Sequence, residues 1–281
     1  MTFGTLFVVA TPIGNLEDMT LRAIRILKES AVIAAEDTRV TSKLLRHFEV
    51  GTPTLSIRGE SGKRNIETLL ERLSNGDPIA LVTDAGTPSV SDPGYELVSR
   101  AHHQKIPVSP VPGASALAAA VSIAGLRGEG VRFLGFLPRG GRRRKEILAA
   151  LRTERALTVL YESPRRLKAT LIDMAAICGE RQGAVLRELT KIHEEIVQGS
   201  LETLAERYGK TPTKGEVVIA LEGNLGDGSS DMSEAELQQL ILSELAAGQT
   251  VKDAAAAISK GFGLSRKSVY QLALKLRSTC R

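Results

Sequence analysis

Short apolar runs alternate with helical patterns through the first 111 residues, and this alternation constrains the fold more than any other sequence feature. The apolar runs predict strands over residues 6–11, 31–36, 54–57, 79–83 and 107–111. The segments between them predict helices over residues 21–28, 41–47, 66–73 and 95–102. Regular alternation of strand and helix is typical of βαβ units and of a mostly parallel sheet.

A second α/β unit is predicted from residue 113 onward. A helix rich in small residues is expected over 116–124, and strands over 133–137, 157–161, 184–187, 195–198 and 217–221. The last three strands follow one another with little predicted helix between them, which favours a mixed sheet. We therefore expect two α/β domains, one over residues 1–112 and one over 113–224.

The last part of the chain changes to a helical pattern. Residues 225–232 are rich in Gly, Ser and Asp, which predicts a linker. The pattern of residues 233–281 predicts a helical module. Ser233 with Glu236, and Thr250 with Asp253, match the capping box, and a third helix is expected from Ser265. The module resembles a helix-turn-helix, although a small bundle for dimerisation or docking is an equally open interpretation.

Composition and charge limit the class of protein. The net charge of +5 permits a nucleic-acid partner without establishing one. Aromatic residues make up 4% of the chain and Trp is absent, which argues against a broad base-stacking surface. Cys178 and Cys280 lie too far apart for a disulfide framework, no cluster has metal-ligand spacing, and no apolar stretch approaches the ~20 residues of a membrane span. We expect a cytoplasmic protein without a metal.

Candidate ligand loops follow the predicted strands. The loop over residues 83–94 combines small hydroxyl residues with Gly, Pro and Asp directly after an apolar strand, where open α/β sheets hold their ligands. Its companions in the sequence are residues 11–15, 36–39, 112–116, 161–164 and 214–216. Each has a structural alternative, such as a tight turn, and Asp37 or Thr38 could equally cap the following helix.

A cationic strip stands apart from these loops. It comprises Arg139, Arg142, Arg143, Arg144 and Lys145, with Arg165 and Arg166 as an extension. Arginine guanidinium groups match phosphate oxygens in a bidentate geometry, so the strip predicts binding to an RNA backbone. The alternative is an ordinary solvated surface.

Several long motifs, in order and at sensible spacing, resemble the tetrapyrrole methylase superfamily and within it the branch that methylates ribosomal RNA. They are VATPIGNLEDMTLRA from Val9, AEDTR from Ala35, TDAGTPSVSDPG from Thr83, PGASA from Pro112, YESPRR from Tyr161, RELTK from Arg187 and KGEVVIALEG from Lys214. The helical module also resembles the extra domain of that branch.

The resemblance implies a homodimer that holds S-adenosylmethionine in the cleft between two α/β domains. It implies 2′-O-methylation of a decoding-centre cytidine in the 16S rRNA of the small ribosomal subunit. Asp37 falls where relatives that methylate tetrapyrroles have a proposed proton-accepting Asp, and we expect Asp37 to be the base that removes the ribose hydroxyl proton. By position, the cofactor contacts would be Pro12, Gly14, Asp84, Ala85, Gly86, Ser89, Val90, Ser115, Ala116, Tyr161, Glu162, Leu189, Thr190, Lys214 and Gly215.

Two departures from the family pattern bear on the substrate. The first loop lacks the richer glycine pattern of relatives that methylate tetrapyrroles, and Ala85-Gly86-Thr87 replaces their Gly-Asp-Pro. Both departures agree with the RNA-methylating branch. The alternatives are a C-methyltransferase for a tetrapyrrole of the precorrin type, and a non-catalytic regulator that binds nucleic acid.

Overall fold

A computed structural model describes residues 3–210, 212–225, 234–262 and 266–279. The first half of the chain forms a sheet of five parallel strands in the order β3-β2-β4-β1-β5. These are β1 (Leu6–Val9), β2 (Val32–Ala35), β3 (Thr54–Ser56), β4 (Ile79–Val82) and β5 (Val108–Val111). The predicted parallel sheet is confirmed, and because its strands are parallel, their carboxyl ends lie along one edge.

Helices cover both faces of this sheet, which explains why its central strand is apolar throughout. Ile79 and Leu81 of β4 point into one core, whereas Ala80 and Val82 point into the other. A strand buried on both faces needs an unbroken apolar run. The helices are α1 (Leu21–Glu29), α2 (Thr38–His47), α3 (Glu60–Ser74) and α4 (Tyr95–His103), and a 3-10 turn spans Leu16–Asp18.

The second sheet is mixed, as predicted, with the order β6-β7-β10-β8-β9. Only β6 and β7 pair in parallel; the other pairings are antiparallel. Its strands are β6 (Val131–Phe136), β7 (Leu157–Glu162), β8 (Gln182–Arg187), β9 (Glu195–Ser200) and β10 (Val217–Leu221). One face is covered by α5 (Ala116–Ile123), and the other by α6 (Gly141–Leu151), α7 (Leu167–Cys178) and α8 (Leu201–Lys210).

The expectation of little helix among the last three strands was wrong for the segment between β9 and β10. This segment contains α8, whose Leu201, Leu204, Ala205 and Tyr208 are buried against the second sheet. These apolar positions recur at helical spacing, which is the signal that would have predicted the helix. Residues 141–145 of the cationic strip form the first turns of α6.

Three helices follow at the C-terminal end, namely α9 (Glu234–Ala246), α10 (Val251–Phe262) and α11 (Arg266–Thr279). They share a core that contains Ile241, Ala255 and Val269. Thr250 caps α10 by accepting a hydrogen bond from the backbone N–H of Asp253 at 3.2 Å, as the capping box predicted. Ser233, Ser265 and the predicted linker after residue 225 lie outside the described residues. Within the described ranges, no helix is long and apolar enough to cross a membrane.

Candidate functional site

Three loops meet at the carboxyl edge of the first sheet and are fastened together by hydrogen bonds. Thr11, after β1, exchanges two backbone hydrogen bonds of 2.9 Å with Gly86, after β4. The Thr11 hydroxyl donates to the carbonyl of Thr83 at 3.1 Å. The Thr87 hydroxyl donates to the carbonyl of Ala114, in the loop after β5, also at 3.1 Å. The edge therefore presents a fixed backbone surface at the place where α/β sheets bind ligands.

A cavity of about 280 Å³ lies between this edge and the second sheet. Its volume is close to the lower end of the range for small-molecule sites, about 300–1,000 Å³. Nine residues that the sequence singled out as cofactor contacts line it, namely Ala85, Gly86, Val90, Ser115, Ala116, Tyr161, Glu162, Leu189 and Gly215. The structure thus brings motifs from both halves of the chain to one cavity.

Six other predicted contacts lie outside the lining: Pro12, Gly14, Asp84, Ser89, Thr190 and Lys214. Gly14 is nevertheless packed tightly against the second half. A Cβ added to Gly14 would lie 2.4 Å from Cγ of Lys191 and 3.0 Å from the carbonyl oxygen of Leu189. The missing side chain therefore lets the first loop close onto the segment that follows β8.

Backbone strain is concentrated in the loops around the cavity. Ser89, Ser91 and Thr190 have φ values of +68°, +66° and +66°, a region that residues with a side chain seldom adopt. The backbone N–H of Thr190 donates to the Glu194 carboxylate at 2.7 Å, which holds that turn in place. Strain of this kind persists where the surrounding structure enforces it, and it is commonly found at functional sites.

Ten residues that were not among the predicted cofactor contacts also line the cavity: Ile13, Thr87, Asp92, Phe136, Ser163, Pro164, Leu186, Glu216, Val217 and Val218. Several lie within the quoted motifs, so their motif membership was a usable signal. Phe136 had no such signal. It ends β6 with a ring that is 59% exposed, and its centroid lies 5.6 Å from that of Tyr161.

The Glu162 carboxylate lines the cavity wall but is fully occupied by neighbouring groups. One oxygen accepts from the backbone N–H of Ser163 at 2.7 Å, and the other accepts from the Thr170 hydroxyl at 2.7 Å. The second oxygen also pairs with the Arg166 guanidinium at 3.1 Å. Because its side chain is completely buried, this pairing satisfies a charge that would otherwise be costly to desolvate. Glu162 thus anchors the loop between β7 and α7.

Arg144 and Arg166 do not lie where a phosphate-binding strip requires them. Arg144 is buried and donates to the Thr170 hydroxyl at 3.1 Å and to the Asp173 carboxylate at 2.8 Å. Arg166 donates to the backbone carbonyl of Leu137 at 2.8 Å. Both guanidinium groups therefore stabilise the second domain, which corrects the expectation for these two residues. The exposed cations of the strip are Arg139, Arg142, Arg143, Lys145 and Arg165.

Asp37 has the contacts of a helix cap. Its carboxylate accepts from the backbone N–H of Arg39 at 2.9 Å and from the Arg39 guanidinium at 2.8 and 3.1 Å. These bonds to Arg39 lower the pKa of Asp37 to about 2. Such a weak base is poorly matched to proton removal near neutral pH. The contacts of Asp37 are therefore those of the helix cap that the sequence offered as the alternative.

Asp92 and Glu216 line the cavity, and the charges of Glu36 and Asp84, which lie outside its lining, act on Asp92. Burial and the charge of Asp84 raise the pKa of Glu36, even though Arg58 pairs with Glu36 at 3.3 Å. Burial, followed by the charges of Glu36, Asp84 and Glu216, raises the pKa of Asp92 to about 6. Carboxylates with raised pKa values in a cleft are candidates for proton transfer. Within the described part of the chain, no group of three or more His, Cys, Asp and Glu side chains is placed to hold a metal ion.

Comparison with known proteins identifies the family. Residues 5–205 match the family model described as Tetrapyrrole (Corrin/Porphyrin) Methylases. The chain belongs to the tetrapyrrole methylase family. Residues 231–277 match a second model, described as the RsmI C-terminal HTH domain.

Relatives within the tetrapyrrole methylase family align over most of the chain. A protein of Synechocystis sp. named ribosomal RNA small subunit methyltransferase I is 42% identical, covering 98% of this chain and 99% of its own. A protein of the same name from Halalkalibacterium halodurans is 48% identical, covering 79% of this chain and 76% of its own. One from Streptococcus pyogenes serotype M1 is 40% identical over 96% of this chain and 94% of its own.

Solved structures of more distant proteins share the fold. Cobalt precorrin-4 methyltransferase superposes with a TM-score of 0.61 at 19% identity, covering 78% of this chain and 94% of its own. Uroporphyrin-III C-methyl transferase from Thermus thermophilus, complexed with S-adenyl homocysteine, has a TM-score of 0.54 at 21% identity, covering 78% and 97%. The expected architecture of two α/β sheets with a C-terminal helical module is confirmed.

Proposed function

We propose that this tetrapyrrole methylase family member is an S-adenosylmethionine-dependent methyltransferase that acts on small-subunit ribosomal RNA. The finer proposal is that it methylates the ribose 2′-oxygen of a decoding-centre cytidine in 16S rRNA, working as a homodimer. The observation that carries the proposal is the cavity of about 280 Å³ that loops of both sheets line. The names of relatives that are 40–48% identical support the RNA substrate.

The residues around the cavity suit the cofactor. Asp92 and Glu216 supply negative charge that complements a sulfonium, and the lining loops supply closely approachable backbone. Ser115 caps α5 without a side-chain hydrogen bond to that helix, and the backbone of Leu117 in the first turn hydrogen-bonds the Tyr161 hydroxyl at the cavity wall. When bound, S-adenosylmethionine supplies an already activated methyl group. The remaining tasks for the protein are to orient the acceptor oxygen, exclude water and receive a proton.

The exposed cations of the strip support an RNA partner. Arg139, Arg142, Arg143 and Lys145 lie on the segment that directly follows Phe136, which lines the cavity. A phosphate backbone held along these side chains would bring a nearby ribose to the cavity mouth. Contacts of this type position RNA without reading its sequence, so selection of one cytidine requires further contacts. The C-terminal helices are a candidate for these contacts.

The decisive experiment is methyl transfer from labelled S-adenosylmethionine to small ribosomal subunits that lack the modification, followed by nucleotide mapping. We expect label on one ribose of the decoding centre. Subunits that already carry the modification are the matched control and should accept no label. Light scattering of the purified protein tests the homodimer separately.

Three results would contradict parts of the proposal. Cofactor binding without label on subunits or free rRNA would leave a methyltransferase with another substrate. Transfer to a porphyrinoid, seen as a coloured methylated product, would favour the tetrapyrrole alternative. A protein without affinity for S-adenosylmethionine would favour the non-catalytic regulator.

A further inference from the structure

Phe136 brings an exposed aromatic ring to the cavity. It lines the cavity at the end of β6 and is 59% exposed. Tyr161 of β7 also lines the cavity but is only partly exposed. Because Phe136 is both a lining residue and largely open to solvent, it lies at the mouth of the cavity. Its ring is therefore available to a ligand that enters from outside.

A bulge in β6 turns Phe136 to this side of the sheet. Phe133 pairs with Val159 and Phe136 with Tyr161, so three positions along β6 match two along β7. In a regular strand, side chains three positions apart point to opposite faces. The extra residue of the bulge reverses that alternation and brings Phe133 and Phe136 to the same face. The direction of Phe136 is thus built into the strand.

Neighbouring groups hold the ring in a defined position. Gly135, within the bulge, has a φ of +60°, and a Cβ there would lie 2.6 Å from Oγ of Ser91. The glycine therefore lets the bulge fit against the loop after β4. The Tyr161 ring meets Phe136 with centroids 5.6 Å apart and planes at 66°, and Phe133 meets Tyr161 at 4.9 Å and 68°. Edge-to-face contacts of this kind fix the orientation of a ring.

The volume of the cavity separates the cofactor from the acceptor nucleotide. About 280 Å³ is near the lower end of the range for one small molecule, so the cavity holds one ligand rather than two. Under the proposed function, that volume is taken by S-adenosylmethionine. The base of an acceptor nucleotide then has to lie at the cavity mouth, where the ring of Phe136 is exposed.

The cationic strip begins close to this ring. Arg139 is exposed and follows Phe136 by three residues, so their Cα atoms are at most about 11 Å apart. Arginine guanidinium groups bind phosphates, whereas aromatic rings bind the faces of unpaired bases. Proteins that bind single-stranded RNA combine these two kinds of contact. Phe136 and Arg139 place both of them on one short segment.

We propose that Phe136 stacks against the base of the acceptor nucleotide, a role that rests on the proposed function. The base leaves its neighbours in the RNA and lies on the phenyl ring, while a phosphate lies on Arg139. This arrangement directs the ribose toward the cavity. Stacking on an aromatic ring tolerates every base, so Phe136 positions the nucleotide and leaves its selection to other contacts.

Steady-state kinetics on unmodified small subunits, with saturating S-adenosylmethionine, test this role. Phe136→Leu keeps an apolar side chain without a ring and should raise the KM for subunits by about 5–150-fold, as expected for the loss of one stacked base. Phe136→Tyr keeps the ring and should retain most of the affinity for subunits. Phe3→Leu removes an exposed ring that precedes β1, at the opposite edge of the first sheet, and should leave the KM unchanged.

A fluorescence readout does not depend on turnover. The chain contains no Trp, so Phe136→Trp places a single indole at the cavity mouth. With S-adenosylhomocysteine present, an RNA oligomer that spans the mapped acceptor should quench this indole, because a base stacks on it. An oligomer of the same length and charge whose acceptor nucleotide lacks its base should not quench it. S-adenosylhomocysteine alone should leave the emission unchanged.

The outcomes distinguish the stacking role from its alternatives. Quenching by the cofactor alone, with weaker cofactor binding by Phe136→Leu in calorimetry, would assign the ring to the adenine and overturn the proposal. Equal quenching by the oligomer without the base, or a wild-type KM in Phe136→Leu, would overturn it and leave the proposed function intact. A folded wild type that methylates no small-subunit RNA would overturn the proposed function, and with it the role of Phe136.

Discussion

Two adjacent arginines of the cationic strip should respond to the same substitution in opposite ways. Arg144 is buried, with only 11% of its side chain exposed, and donates to Thr170, Asp173 and the carbonyl of Pro138. Arg143 is exposed at the start of the same helix. The pair Arg144→Gln and Arg143→Gln therefore separates a stabilising arginine from an RNA-binding one.

The loss of stability in Arg144→Gln follows from its contacts. A hydrogen bond between charged groups contributes about 1.5–3 kcal/mol when buried, but Asp173 is 46% exposed, so we take about 1 kcal/mol for that bond. The bonds to Thr170 and Pro138 contribute about 0.5–1 kcal/mol each. We expect unfolding to become easier by about 2–3 kcal/mol. At about 2–4 °C per kcal/mol, the melting temperature should fall by about 5–10 °C.

The assays are urea unfolding, followed by circular dichroism, and RNA binding over a series of salt concentrations. Arg143→Gln should leave the unfolding midpoint unchanged, because an exposed substitution shifts stability by less than about 0.5 kcal/mol. It should lower the salt dependence of RNA binding by about one phosphate contact. Wild-type stability in Arg144→Gln, or a salt dependence of Arg143→Gln equal to that of the wild type, would refute this reasoning.

Three further predictions concern the cavity. Gly14→Ala should weaken cofactor binding by about tenfold, because the added Cβ meets the carbonyl of Leu189; Gly51→Ala, with open space around it, is the control in calorimetry. Asp37→Asn should keep a single-turnover rate within about threefold of the wild type, since the pKa of Asp37 near 2 suits a cap rather than a base; a loss of 10² or more would restore it as the base. Asp92→Asn should stabilise the protein against urea above pH 7 by about 1–2 kcal/mol after allowance for partial exposure. Because the pKa of Asp92 is raised in the folded state, the stability of the wild type falls as pH rises from about 4 to about 6. The wild type and Asp92→Asn should therefore be equally stable near pH 4. Equal stability at pH 8 would contradict the cost of the buried charge.

The first sheet could be predicted from sequence because each of its strands is a short apolar run ending in a marked loop. β4 illustrates this, since Ile79–Val82 is buried on both faces and the loop after it begins with small polar residues. The second domain was harder to predict. The helix α8 was not predicted, although its buried residues from Leu201 to Tyr208 recur at helical spacing.

The site was predictable in part, because a motif gives the position of a residue but not the direction of its side chain. Arg143 and Arg144 are adjacent in sequence and chemically identical, yet α6 turns one toward solvent and the other toward Asp173. Asp37 and Asp92 are both acids at loop positions, and only the fold shows that Arg39 neutralises one of them. Phe136 lies outside every motif, and the topology alone brings it to the cavity.

The negative charge of the cavity has a consequence for the turnover cycle. Under the proposed function, the charges of Asp92 and Glu216 would attract the sulfonium of the methyl donor, whereas the thioether that remains after transfer is neutral and would lose this attraction. The spent cofactor should therefore leave more readily than the fresh one, so the same carboxylates would favour reloading over product inhibition. The same carboxylates repel phosphate. The RNA backbone should therefore stay on the exposed arginines of the cationic strip, and only a ribose should enter the cavity.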